Sequence, residues 1–121
     1  MLRKDKTCHE AMYGLGKLNF QIKRYEIAER WFTDAFEQKH DYVYRAWIGY
    51  THVKLYEAVT PENPKRSKYL SYAIKNLSRC AKERDLAVYA LTALIYLSVR
   101  VLNLGGQLIT QTSPIRGIEE P

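Results

Sequence analysis

Apolar residues recur at helical spacing along most of the chain, and two stretches show the pattern clearly. From Ala11 to Ile22 they fall at Met12, Leu15, Leu18 and Ile22, with Phe20 off that stripe. From Ala28 to Phe36 they fall at Ala28, Trp31, Phe32, Ala35 and Phe36. Steps of three and four put each set on one helix face. Gln21 to Tyr25 is short and polar, and suits a tight turn between antiparallel helices. A third helix is predicted over Tyr42 to Ala58. Pro61 and Pro64 then stop it, because proline lacks an N–H and clashes with the preceding turn. Ser67 is placed to cap the next helix. That helix is expected to run to about Arg84, with Tyr69, Leu70, Ala73, Leu77, Cys80 and Ala81 as its apolar face. Asp85 is the expected N-cap of a last helix, Leu86 to about Asn103, which Gly105-Gly106 ends. The pattern predicts one all-α domain over 1–103, with helix pairs at about 8–39 and 42–84 and a single helix at 86–103. The polar segment 104–121 shows no period and is expected to be a disordered tail.

The chain also repeats itself. Met12-x-x-Leu15-Gly16 recurs 33 residues later as Arg45-x-x-Ile48-Gly49, and again as Tyr89-x-x-Thr92-Ala93-x-x-Tyr96. After the first copy come Tyr25, Ala28, Phe32 and Ala35. After the second come Ala73, Leu77 and Cys80, at the same steps of four and three. These residues resemble the tetratricopeptide repeat family over roughly Ala11 to Leu102. The second copy departs from the family pattern: it carries extra residues around Pro61 and Pro64, and Arg45 stands where the family prefers Trp. The third has only its first helix, and His40 replaces the usual proline at the end of the first. The resemblance implies antiparallel helix pairs stacked as a short right-handed superhelix of about 2.5 repeats, in which small residues at Gly16, Ala28 and Ala35 let helices approach closely. It also implies that the first helix of each repeat lines a concave, peptide-binding face. Glu10, Tyr13, Lys17, Phe20 and Gln21 would then point inward from the first repeat, and Val43, Ala46, Tyr50, Val53 and Lys54 from the second. Of these, Tyr13, Lys17, Phe20, Gln21, Tyr50 and Lys54 are the candidate groove residues, with aromatic anchors beside lysines. No Lys-x-x-x-Asn pair is present for the carboxylate clamp that some members carry.

Composition narrows the function classes. The net charge is +6, which favours acidic partners. Two distant cysteines, Cys8 and Cys80, make no disulfide framework, and the charged start Met1 to Lys6 is followed by no apolar leader core. A reduced, cytoplasmic protein is the expectation. Cys8-His9 has no second pair at metal-ligand spacing. Gly14-Leu15-Gly16-Lys17 lies within a helix and lacks the spacing of a phosphate loop. No metal, cofactor or catalytic set is expected. Lys65, Arg66, Lys68, Lys75, Arg79, Lys82 and Arg84 make one segment strongly basic. The last helix is apolar almost all round from Leu86 to Val99, and a solenoid end normally carries a polar cap. Tyr89, Leu91, Leu94, Ile95 and Leu97 are therefore candidate docking residues for a partner, for a second copy, or for the rest of a longer repeat array. The apolar run is short of the length needed to span a bilayer. The expected function is a protein-interaction module within a larger assembly. A basic RNA-binding helical protein and a regulatory subunit of an enzyme are the alternatives.

Overall fold

A computed structural model describes residues 8–110 and the side chains of residues 8–102. The chain is all helical there: α1 (His9–Gln21), α2 (Tyr25–Gln38), α3 (Tyr42–Ala58), α4 (Lys65–Cys80), a short 3₁₀ turn (Arg84–Leu86) and α5 (Ala87–Thr110). α1 packs on α2, α2 on α3, α3 on α4 and α4 on α5. Each helix therefore lies beside its neighbours in sequence, as short connections require.

The helix ends explain where the sequence reading slipped. α1 closes with a Schellman motif: Lys23 N–H bonds Phe20 O and Arg24 N–H bonds Asn19 O at 2.8 Å. Lys23 takes the left-handed conformation (φ 67) that this motif needs, so the turn ends at Arg24 and Tyr25 opens α2 instead of belonging to the turn. A lysine is strained there and a glycine is not. Lys23→Gly is expected to raise the unfolding free energy by about 0.5–1 kcal/mol, read as a higher denaturant midpoint. Asp41 caps α3 by accepting from Val43 N–H at 2.9 Å. α4 begins before Ser67: the Asn63 side chain accepts from Lys65 N–H at 2.8 Å, and Pro64 already has helical angles, the favoured place for proline at a helix start. Asn63 thus does the work expected of Ser67. α4 ends at Cys80, and Asp85 caps nothing because it lies inside the 3₁₀ turn. Gly105-Gly106 does not stop α5, which continues to Thr110. Glycine lowers helix propensity by about 1 kcal/mol without forbidding the conformation. Residues 104–110 of the expected tail are therefore helical, and its remainder, 111–121, lies outside the described residues.

The two hairpins pack through equivalent residues. A Cβ placed on Gly16 would lie 2.5 Å from the Phe32 ring. A Cβ on Gly49 would lie 2.7 Å from Leu77 Cγ. A glycine on the first helix thus admits a large residue of the second in both. The large residues are flanked by small ones, Ala28 and Ala35 around Phe32, Ala73 and Cys80 around Leu77, and all six are fully buried. The stripe that α1 buries runs through Met12 and Gly16, with Phe20 half-buried beside it. Leu18 and Ile22, assigned from spacing to that stripe, are exposed instead.

α5 repeats the pattern in a register the sequence motif did not identify. On α3, Tyr44, Ile48, His52 and Leu55 face α2. Leu86 at the end of the 3₁₀ turn and Ala90, Leu94 and Leu97 of α5 face α4 with the same spacing. α5 therefore matches α3 at an interval of 42 residues, and Leu91, not Ala93, occupies the position of Gly49.

Candidate functional groove

α1, α3 and α5 line one side of the molecule, and a groove of about 660 Å³ opens between them. Phe20 from α1 and Trp47, Tyr50, Val53 and Lys54 from α3 form its floor. Val88, Tyr89, Thr92, Ala93 and Tyr96 from α5 form the facing wall. The floor is an aromatic ladder. Phe20 meets Trp47 edge-on with centroids 5.2 Å apart, and Trp47 meets Tyr50 edge-on at 5.8 Å. Such contacts fix ring orientation as well as burying area. Burial raises the pKa of the Tyr50 phenol, with Cys80 and Tyr89 adding to it. Its hydroxyl therefore stays neutral and can donate.

Glu57 fastens the wall to the floor. Its carboxylate accepts from the Tyr96 hydroxyl, pairs with Arg100 Nε at 3.3 Å and lies 3.9 Å from Lys54 Nζ. This network fixes α5 against the C-terminal half of α3, and it leaves the Lys54 side chain about half exposed at the rim.

The candidate residues divide. Phe20, Tyr50 and Lys54 line the groove. Tyr13 does not: its ring packs among Phe32, Tyr44 and Trp47, with Lys17 Nζ 4.8 Å from its centroid. Gln21 is exposed at the end of α1 and lines nothing here, because the chain turns at the next residue. Ala46 is buried against Cys80 and Ala90. The candidate docking helix divides four ways. Tyr89 belongs to the groove, Leu91 and Ile95 are exposed on the outer side, and Leu94 packs half-buried on α4. Leu97 is corrected outright: at 2% exposure it is a core residue against Ala73 and Leu77, and it is closed to any partner. Trp47, Val88, Thr92, Ala93 and Tyr96 were missed. Trp47 sits two positions from where the family motif would place a tryptophan, and the α5 residues are legible only in the packing register.

A second cleft of about 320 Å³ lies between α2 and α4. It is of mixed charge, with Glu26, Glu29 and Arg30 facing Lys65 and Lys68. His52 forms its base. The Nδ1 of His52 lies 2.9 Å from Ile48 O. A carbonyl only accepts, so Nδ1 carries the proton and Nε2 faces Glu29 at 3.8 Å. Burial lowers the His52 pKa below 6.5, Lys68 adds to this, and Glu29 and the Ile48 bond oppose it. The unfolded chain therefore takes up this proton at a higher pH than the folded one. The stabilisation is present above 6.5 and is lost as pH falls through the folded pKa. Acid unfolding curves are expected to show a loss beginning near 6.5, and His52→Leu is expected to remove that segment.

Cys8 and Cys80 are free thiols. Cys80 is buried, and burial pushes its pKa up to about 11, so its thiol stays protonated and unreactive. His9, beside Cys8, hydrogen-bonds the Tyr44 hydroxyl. Lys75 and Arg79 of α4 and Lys82 just beyond it are exposed together, with Lys68 beside them at the rim of the α2/α4 cleft.

Compared with known proteins, the chain matches no family model, and no curated protein and no solved structure matches it.

Proposed function

We propose that this chain is a protein-interaction module of the tetratricopeptide type, and that the α1/α3/α5 groove holds an apolar segment of a partner protein. The observation that carries the reading is the aromatic floor facing Tyr89 and Tyr96 across an open groove. Aromatic side chains give large contact area at low entropic loss, and they dominate binding energy where they are grouped. Lys54 at the rim adds a preference for an acidic residue at that end of the ligand. The groove lining contains no His, Asp, Glu, Cys or Ser. It offers anchors rather than a nucleophile and base, so binding rather than catalysis is the function proposed.

The test is a displayed-peptide selection on the full chain, with counter-selection on Tyr89→Ala. Tyr89 is exposed, so this variant is expected to keep the fold, read as unchanged helical circular dichroism. Enrichment of peptides with spaced apolar anchors and a flanking acid, lost on Tyr89→Ala, supports the reading. Peptides that bind both proteins equally would overturn it.

A second reading rests on the basic outer face of α4, which would meet the phosphates of RNA. Under that reading, affinity for a labelled RNA falls steeply with added salt and is insensitive to Tyr89→Ala.

A further inference from the structure

The register of α5 identifies what its exposed side lacks. On α3 the residues Ala46, Gly49, Val53 and Tyr56 are buried, covered largely by α4. The equivalent residues of α5 are Val88, Leu91, Ile95 and Ser98, and all four are exposed, Val88 at 71% and Ile95 at 63%. Val99 and Leu102 extend the same strip. Below it, a furrow of about 440 Å³ runs between α4 and α5 past Leu70, Ile74, Val101 and Leu102. In this fold such a face is covered by an antiparallel helix.

Two features select the helix that fits. Leu91 stands where α1 and α3 have the glycines that admit Phe32 and Leu77. A close-packing helix built like α2 or α4 would drive its large residue into Leu91. A helix with well-spaced large residues instead interdigitates with it. The strip Val88, Leu91, Ile95, Val99, Leu102 is also palindromic in spacing about Ile95. Laid antiparallel on its own copy, it sets Val88 against Leu102, Leu91 against Val99, and Ile95 against itself. No charged residue lies on the strip, and Arg100 is held off it by Glu57. Two chains of net charge +6 therefore meet where neither carries charge.

We propose that the outer face of α5 is a two-fold dimer interface, in which a second copy of this chain lays its α5 antiparallel across Val88, Leu91, Ile95, Val99 and Leu102 with Ile95 on the axis. The interface is isologous, so each copy contributes the same strip, and it meets the groove only at Val88, on the edge of the groove wall.

The test is the mass of the full chain in solution by light scattering and sedimentation, with Ile95→Glu, Ile95→Lys and their equimolar mixture. Ile95 is solvent-exposed, so both variants are expected to keep the helical circular dichroism of the parent. Leu91→Glu, also exposed, serves as an independent third. The parent is expected to be a dimer at tens of micromolar. Each single variant is expected to lose self-association by on the order of a hundredfold, because like charges face each other. The mixture is expected to restore the dimer, since Glu then faces Lys. A parent that stays monomeric over the whole concentration range overturns the proposal. So does a dimer that survives Ile95→Glu, or a mixture that fails to re-associate. A parent that is monomeric but binds phospholipid vesicles overturns it in favour of a membrane, which the helical stretch Arg84–Leu102 is long and apolar enough to cross, against the expectation from the shorter apolar run. None of these variants touches Tyr50, Lys54 or Tyr89, so failure here leaves the groove reading to its own test.

Discussion

Leu77→Ala is expected to lower the unfolding free energy by about 2–5 kcal/mol, and Gly49→Ala by about 1–2 kcal/mol. The two changes should not add. Leu77 is fully buried between α3, α4 and α5 and has no room to withdraw. A Cβ on Gly49 meets its Cγ at 2.7 Å and its Cδ2 at 2.9 Å. The overlap outweighs the helix propensity that alanine adds, about 1 kcal/mol. Once Leu77 is truncated, those atoms are gone and the new methyl occupies part of the cavity. The double variant is therefore expected to be less destabilised than the sum of the singles by at least about 1 kcal/mol. The same cycle on Gly16 and Phe32 should give a coupling of the same sign, because the geometry recurs there. Gly14→Ala is the control: nothing lies within 4 Å of its added Cβ, so only the propensity gain remains, about 0.5–1 kcal/mol. Denaturant unfolding of these variants reads all the values. Strict additivity at both glycines would mean that the helices do not approach as closely as described.

The second large effect is on binding. A peptide selected for the groove is expected to lose thirtyfold or more in affinity on Tyr89→Ala, about 2 kcal/mol for the loss of a central aromatic anchor. Lys54→Glu is expected to weaken an acid-flanked peptide more modestly, by a few-fold, and to do so less at high salt, since Lys54 is half exposed and its field is screened. Loss on Tyr89→Ala at any salt, with salt-dependent loss on Lys54→Glu, separates anchoring from steering. Fluorescence of Trp47, which lies in the floor, or calorimetry reads both.

Helix count and order were legible because spacing and proline carry them: the breaks at Gln21 and at Pro61 to Pro64 fall where expected. Cap residues were not, because the choice between Asn63 and Ser67 turns on which side chain reaches a free N–H, and a lysine in the left-handed turn at Lys23 has no sequence signature. The groove was half legible. Phe20, Tyr50 and Lys54 follow from the family resemblance, and all three line it. Tyr13 is aromatic at an equally suitable spacing, but Phe32, Tyr44 and Trp47 enclose it. The α5 wall was misread because its residues resemble the repeat motif two positions away from the register in which they pack. An apolar helix offers more than one register to a motif. Only burial of Ala90 and Leu97 against α4 decides between them.

The most direct test of the groove is backbone amide mapping by nuclear magnetic resonance on the isotope-labelled chain, titrated with a selected peptide. The expected shifts concentrate at Phe20, Trp47, Tyr50, Lys54, Thr92 and Ala93, with Lys68 to Lys82 unmoved. Shifts confined to the outer face of α4, or to Leu91, Ile95 and Val99, would contradict the assignment of the α1/α3/α5 groove as the binding site.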